Sequence, residues 1–221
     1  MTGHEVYGPE PNAPPTLEVR WIRPGELDAP TLEWFGRFPA AAESREDDYL
    51  ISPNLTGLSV KIRGGRALEV KVFRGRRGVL SLAAGVRGFM ESWQRWSFPV
   101  GSEIRGGPDS TSWRSVHKVR RISFFVAGEG PPSASLPTPE RGTGCAVELT
   151  EVTMHGRNWW TLGLEAAGPP DGLRGLVEGT AALLFDQPLP SGLELTQADS
   201  RSYYGWLLDL TRRGWSHDAD R

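Results

Sequence analysis

Charged residues recur at every second position in about six separate stretches of this chain, and most of the positions between them are apolar. Leu17, Val19 and Trp21 alternate with Glu18 and Arg20. Leu58, Val60 and Ile62 alternate with Ser59, Lys61 and Arg63. After the Gly64–Gly65 turn, Leu68, Val70 and Val72 alternate with Glu69 and Lys71, the pattern of a β-hairpin. Arg95 lies opposite Trp96 and Phe98 in parity. Lys118 and Arg120 share a face with Val116, Glu148 shares one with Thr150, and Glu165 shares one with Thr161 and Gly163. Period-two alternation puts successive side chains on opposite faces of a strand. A chain with this many half-charged strands turns their charged faces either to water or towards one another. If the strands close into a barrel of about eight, the interior has room only for side chains or one small ligand, and these charges line it. Alternation alone leaves the solvated face and the lined interior both open.

A charged interior is costly unless its groups are paired or bind something. Of the 25 basic residues only Lys61, Lys71 and Lys118 are lysines, and each sits in one of the alternating strands. Arginine offers a flat fork of donors and lysine a point charge, and phosphate oxygens accept both. Carboxylates nearby suit a hard divalent cation such as magnesium. The net charge of −2 supplies no bulk field to recruit nucleic acid or a membrane surface, so any charge selectivity is local.

The remaining segments frame these strands. Residues 26–38 read as a short helix, 43–48 as a polar run leading into a short strand at 49–51, and 74–88 as a turn with an irregular or briefly helical connection. Residues 101–112 and the Pro/Gly/Ser-rich tract 128–144 read as loops, the latter mobile. Strands at 146–154 and 158–166 flank a turn at His155–Gly156–Arg157, and amphipathic helices are expected over 172–184 and 200–212. The expected layout is a disordered leader (1–15), a single domain (16–213) and a short tail (214–221). One cysteine, Cys145, provides no disulfide framework, and the N-terminus has no apolar signal run, so a cytoplasmic location is expected. His117, His155 and His217 lack metal-ligand spacing, and Trp159 and Trp160 are expected to split between the barrel wall and a helix.

In order along the chain these pieces resemble the CYTH-like, or triphosphate tunnel metalloenzyme, family, which includes thiamine triphosphatases, inorganic triphosphatases and class IV adenylate cyclases. Leu17-Glu18-Val19-Arg20-Trp21 resembles the family's opening strand, Asp48-Tyr49-Leu50 its Asp-Thr-Tyr piece, and Leu58 to Arg63 its strand ending in a basic-apolar-Arg motif. Leu68-Glu69-Val70-Lys71 is similar to the lysine-bearing strand that follows, and Lys118-Val119-Arg120-Arg121 to the Lys-x-Arg strand. Val147 to Val152 resembles the acidic strand, Trp160 to Glu165 the final Glu-x-Glu strand, and Ser202-Tyr203 the start of the closing helix.

The resemblance implies an α+β fold: a closed antiparallel β-barrel, or tunnel, of about eight strands with flanking helices. It implies metal-dependent hydrolysis of a triphosphate's phosphoanhydride, with Arg20, Lys61, Arg63, Lys71, Arg95, Lys118 and Arg120 binding substrate. Among these, Lys61, Lys71 and Arg120 would promote the chemistry. Glu18, Glu148 and Glu165 would hold Mg2+ or Mn2+. The implied partner is a small-molecule triphosphate or polyphosphate, not nucleic acid or a membrane, and the implied state is a monomer or homodimer.

The departures are specific. Arg20 stands at the second glutamate of the family's Glu-x-Glu-x-Lys opening and Ile22 at its lysine, while Thr150 and Gly163 replace carboxylates of the later strands. Each lost carboxylate removes an oxygen ligand, and Arg20 adds repulsion towards a metal. Glu69 compensates only if it faces inward, and Glu151 has the wrong parity to do so without a bulge. Binding of phosphate-rich anions without turnover, on the same scaffold, is the alternative these losses favour. A barrel carrying an apolar ligand is a third reading, and it requires the three lysines to be exposed.

Overall fold

The computed structural model describes residues 15–82, 85–100, 112–126, 132–136 and 142–212. The expected leader through residue 14, the tail, His217 and most of the two expected loops lie outside the described residues. Among the described residues nine strands form one antiparallel sheet: β1 (Thr16–Pro24), β2 (Ala41–Leu50), β3 (Leu58–Arg63), β4 (Ala67–Ser81), β5 (Arg87–Pro99), β6 (Trp113–Val126), β7 (Ser133–Ser135), β8 (Gly144–Met154) and β9 (Arg157–Ala167). Their order is β2-β3-β4-β5-β1-β9-β8-β6-β7, and β6 also pairs with β2 along that strand's whole length. Eight strands therefore close into a barrel, and β7 is a short addition on the outer end of β6. Closure leaves the barrel without free sheet edges.

Among the described residues three α-helices dress this barrel: α1 (Ala29–Phe35), α2 (Leu173–Leu184) and α3 (Tyr203–Arg212). Asp28 caps α1 by accepting a hydrogen bond from the Thr31 N–H at 2.8 Å. The outward faces of β1, β8 and β9 carry Leu17, Val19, Trp21, Val147, Leu149, Leu162 and Leu164, which share one apolar core with Phe35 of α1 and Leu173, Val177, Ala181 and Leu184 of α2. The helices thus cover the apolar face of the acidic strands, and the alternating charges of Glu18, Arg20, Glu148 and Glu165 turn inward. That placement decides between the two faces that alternation left open. A second cluster, of Ile22, Tyr49, Val116, Val152, Trp159, Trp206 and Leu207, seats α3 on the barrel. Trp160 belongs to the outer core and Trp159 packs on Trp206 at 5.2 Å, so the tandem tryptophans do split between two faces.

Three segments differ from expectation, the first being the tract 128–144, expected as a mobile loop, in which Ser133–Ser135 form β7 and pair with β6. The polar run 43–48 is the middle of the ten-residue β2, which pairs with β6 throughout and with β3 from Asp47 to Leu50. Its pleat is hidden in sequence because polar residues occupy both faces. Residues 74–88 are mainly the far ends of β4 and β5, a long hairpin whose register shifts between Phe73 and Gly75 and between Arg76 and Val79. Gly75 and Gly78 take φ of 115° and 107° there, so these glycines serve β-bulges instead of a loop.

Candidate functional site

The barrel interior is a cavity whose lining carries nine arginine or lysine side chains and five glutamates. On a chain with net charge −2, this is a local concentration of positive charge. Lys61, Lys71 and Lys118 all line it, on three strands, which rules out the apolar-carrier reading. Arg20, Arg63, Arg95 and Arg120 line it as well, so all seven residues expected to bind substrate are brought together. Glu18, Glu148 and Glu165 lie in the same lining.

Strand register explains how the cations are held. Arg45 and Lys118 are direct cross-strand partners of β2 and β6, and Lys71 and Arg95 are direct partners of β4 and β5. Like charges placed opposite one another repel. The first pair is relieved by Asp47, a fully buried carboxylate that takes Lys118 Nζ at 3.0 Å, Lys61 Nζ at 3.2 Å and Arg45 Nε at 3.1 Å. Burial opposes the Asp47 charge, but Lys118, Lys61 and Arg45 together hold the acid well below its ordinary range. Lys118, 2 % exposed, is pushed well below the ordinary lysine range by burial, with Lys61 adding to the effect and Asp47 resisting it. Its Nζ also donates to Tyr49 Oη at 2.7 Å and lies 3.9 Å from the Tyr203 ring centre. Lys61 reaches Glu69 at 3.2 Å, and Arg63 donates to the same carboxylate at 2.9 Å. Despite burial, these two cations bring the Glu69 acid down to about 2. Arg95 makes no hydrogen bond or ion pair among the described residues.

The acidic side of the tunnel is also engaged. Lys71 Nζ lies 2.5 Å from Glu18 Oε1 and 3.5 Å from Glu165 Oε2. Glu148 is gripped from two directions, by Arg20 Nη1 at 3.2 Å and by the Arg120 guanidinium. Burial opposes its charge, yet Arg120 and Arg20 hold the acid well below its usual range. Gly163 is the register partner of both Arg20 and Glu148, so Arg20 reaches its carboxylate by crossing a position without a side chain. Glu91 faces Glu18 across β5 and β1. Burial and Glu18 push its carboxyl up, against the opposing pull of Arg76 at 3.6 Å and a hydrogen bond with Trp93.

Sequence parity finds some of these residues and misses others. Glu69 does face inward, whereas Glu151 points outward and pairs with Arg121 at 2.8 Å, as its parity predicts. Asp47, Arg45 and Glu43 share the parity of Tyr49 but were missed, because polar residues occupy the other face of β2 as well. Glu91 was missed because residues 74–91 did not read as strand. Cys145 is buried in the outer core, away from the tunnel, and burial pushes its thiol up to about 12. His117 sits on the outward parity of β6, with Nε2 3.5 Å from Ser44 Oγ.

The eight-stranded tunnel implied by the sequence resemblance is the fold of this chain. No family model matches it, and no curated protein does. Solved structures that superpose on it include the HpAC1 protein of Hippeastrum, described as having a dominant triphosphatase activity, at 14 % identity and TM-score 0.47 over 90 % of this chain and 96 % of that one. The PH1819 protein of Pyrococcus horikoshii superposes at 16 % identity and TM-score 0.45, over 87 % and 98 %. The S. pombe RNA triphosphatase Pct1 does so at 12 % and 0.43, over 80 % and 82 %. Similarity at this level carries no functional weight, and the reading below rests on the tunnel's own side chains.

The divalent ion implied by the resemblance meets an unsuitable donor set. Among the described residues no three His, Cys, Asp or Glu side chains are placed to share a metal ion. Glu18 and Glu165 converge on an ammonium, and Glu148 is held by two guanidinium groups. The position between Arg20 and Glu148 is Gly163, which offers no side-chain oxygen. Glu18, Glu148 and Glu165 as arranged do not fit a metal ion.

Proposed function

We propose that the tunnel binds the linear triphosphate of a small molecule, or a short polyphosphate, and promotes hydrolysis of its terminal phosphoanhydride. The observation that carries this reading is the excess of cations in one enclosed cavity, including Arg95, which has no ion pair among the described residues and stands directly opposite Lys71. A polyanion entering there relieves the repulsion that the protein alone leaves in place. Lys61, Arg63, Lys71, Arg95, Lys118, Arg120 and Arg20 would contact successive phosphoryl oxygens.

Phosphoryl transfer asks little covalent chemistry of a protein beyond alignment and neutralisation of equatorial oxygens. Lys61, Lys71 and Arg120 would supply that neutralisation as the bond to the leaving oxygen lengthens. Water would attack the terminal phosphorus, the anhydride P–O bond would break, and orthophosphate and the shortened phosphate chain would leave. Glu91 is the lining carboxylate best suited to take the water's proton, because its surroundings push its acid up while those of Glu69 and Glu148 push theirs down. Binding without turnover is the second reading, and the ion pairing of Glu18, Glu69, Glu148 and Glu165 favours it.

Orthophosphate release from tripolyphosphate and from nucleoside triphosphates separates the two. The first reading expects release by the wild-type chain and its loss in Glu91→Gln with tripolyphosphate binding retained. Binding by both proteins with release by neither leaves the second. Lack of binding by either sinks both.

A further inference from the structure

Arg20 occupies a built cradle. Its Nη1 donates to Glu148 Oε1 at 3.2 Å and to Thr161 Oγ1 at 2.9 Å, and its Cζ lies 4.8 Å from the centre of the Tyr203 ring. Thr161 Oγ1 is in turn 3.2 Å from Tyr203 Oη, so the ring and the hydroxyl are fixed together. Beneath the guanidinium lies Gly163, where an added Cβ would stand 2.6 Å from Arg20 Cζ and 2.7 Å from Nη2. Real Cβ atoms do not approach that closely, so any side chain at 163 would displace the Arg20 guanidinium from this seat. Among the described residues Nη2 and Nε of Arg20 carry no hydrogen bond, and Arg20 lines the cavity. Arg120, on the other side of Glu148, likewise has a buried Nε without a hydrogen-bond partner.

Resting on the anion-binding reading above, we infer that the Arg20 guanidinium, seated over Gly163 and oriented by Glu148, is a built-in cation in place of a bound metal, and that the tunnel's ligand is the metal-free polyphosphate anion. A guanidinium presents two parallel donors to phosphoryl oxygens and needs no free carboxylate to hold it. Glu148 is then an orienting group for Arg20 and Arg120 and not a metal ligand. A magnesium-complexed polyphosphate brings a dication towards Arg20, Arg120 and Lys118, which costs repulsion, whereas the bare anion meets a lining in which nine cationic side chains outnumber five glutamates.

The full chain tests this by titration calorimetry with inorganic tripolyphosphate in EDTA and in excess magnesium chloride. Affinity in EDTA equal to or tighter than that in magnesium, within threefold, is expected. Affinity weakened more than threefold by EDTA overturns the inference while the anion-binding reading stands. Absence of binding in both buffers overturns the anion-binding reading itself. Independently, the electron-paramagnetic-resonance signal of free Mn2+ is expected to be unchanged by the ligand-free protein, and loss of one equivalent of that signal overturns the inference. Gly163→Ala, which forces Arg20 off its seat, and Arg20→Gln are each expected to weaken tripolyphosphate binding in EDTA roughly tenfold, about 1.4 kcal/mol. Wild-type affinity in an Arg20→Gln protein that melts as a folded domain would contradict the role given to Arg20.

Discussion

Asp47 shows at the level of one residue how the tunnel keeps its cations in place. Its carboxylate is buried and shared by Lys118, Lys61 and Arg45, so replacing it leaves three cations facing one another. Asp47→Asn is expected to lower stability by about 3–5 kcal/mol in urea denaturation, and tripolyphosphate is expected to restore part of the loss by taking the missing charge's place. Lack of any restoration would show that the cluster is purely structural. Glu69 provides a pH test. Its acid is lowered in the folded state from 4.5 to about 2, so its stabilisation is present above the unfolded value and lost as pH falls through the folded one. Wild-type protein should therefore lose on the order of 3 kcal/mol between about pH 5 and pH 2 from this group alone, and Glu69→Gln should flatten that part of the profile. Residues such as Lys61, Lys71 and Glu148 were legible in sequence because apolar neighbours mark their parity. Asp47 was not, since Ser44, Glu46 and Asp48 fill the opposite face with polar groups, and nothing local says which polar face is buried.

Between elements, the register of β4 with β5 sets Lys71 against Arg95, which has no ion pair among the described residues. Replacing Arg95 by glutamine is expected to raise the stability of the ligand-free protein by roughly 0.5–1 kcal/mol while lowering tripolyphosphate affinity about tenfold. Thermal melts and calorimetry on that variant read the two effects separately, and a fall in both would contradict the assignment of Arg95 to the anion. The β4–β5 hairpin also marks the limit of sequence reading. Its bulges at Gly75 and Gly78 break the alternation over 74–88, so the strand carrying Glu91 is hidden until its pairing with β4 is seen. Strand pairs with short turns, such as β3 with β4 across Gly64–Gly65 and β8 with β9 across His155–Gly156, were legible because the turn residues fix their register. The closing contact of β2 with β6 depends on residues about seventy positions apart, which no local pattern encodes.

In the whole molecule, helices on the apolar outer faces of β1, β8 and β9 turn the charged faces inward, and barrel closure brings cations from separate strands into one enclosed space. The closed barrel was an expectation from motif order, and its charged interior follows from which faces α1 and α2 cover. Binding dominated by charge should weaken steadily with sodium chloride, and orthophosphate should compete far less well than tripolyphosphate because it spans fewer of the cations. The central claim is that these cations form one polyanion site, and the melting midpoint of the full chain with tripolyphosphate in EDTA, against sodium chloride at matched ionic strength, tests it most directly. At about a hundredfold excess over Kd the predicted stabilisation is about 2.7 kcal/mol, a rise of roughly 5–10 °C. A midpoint unchanged by millimolar tripolyphosphate would contradict the claim.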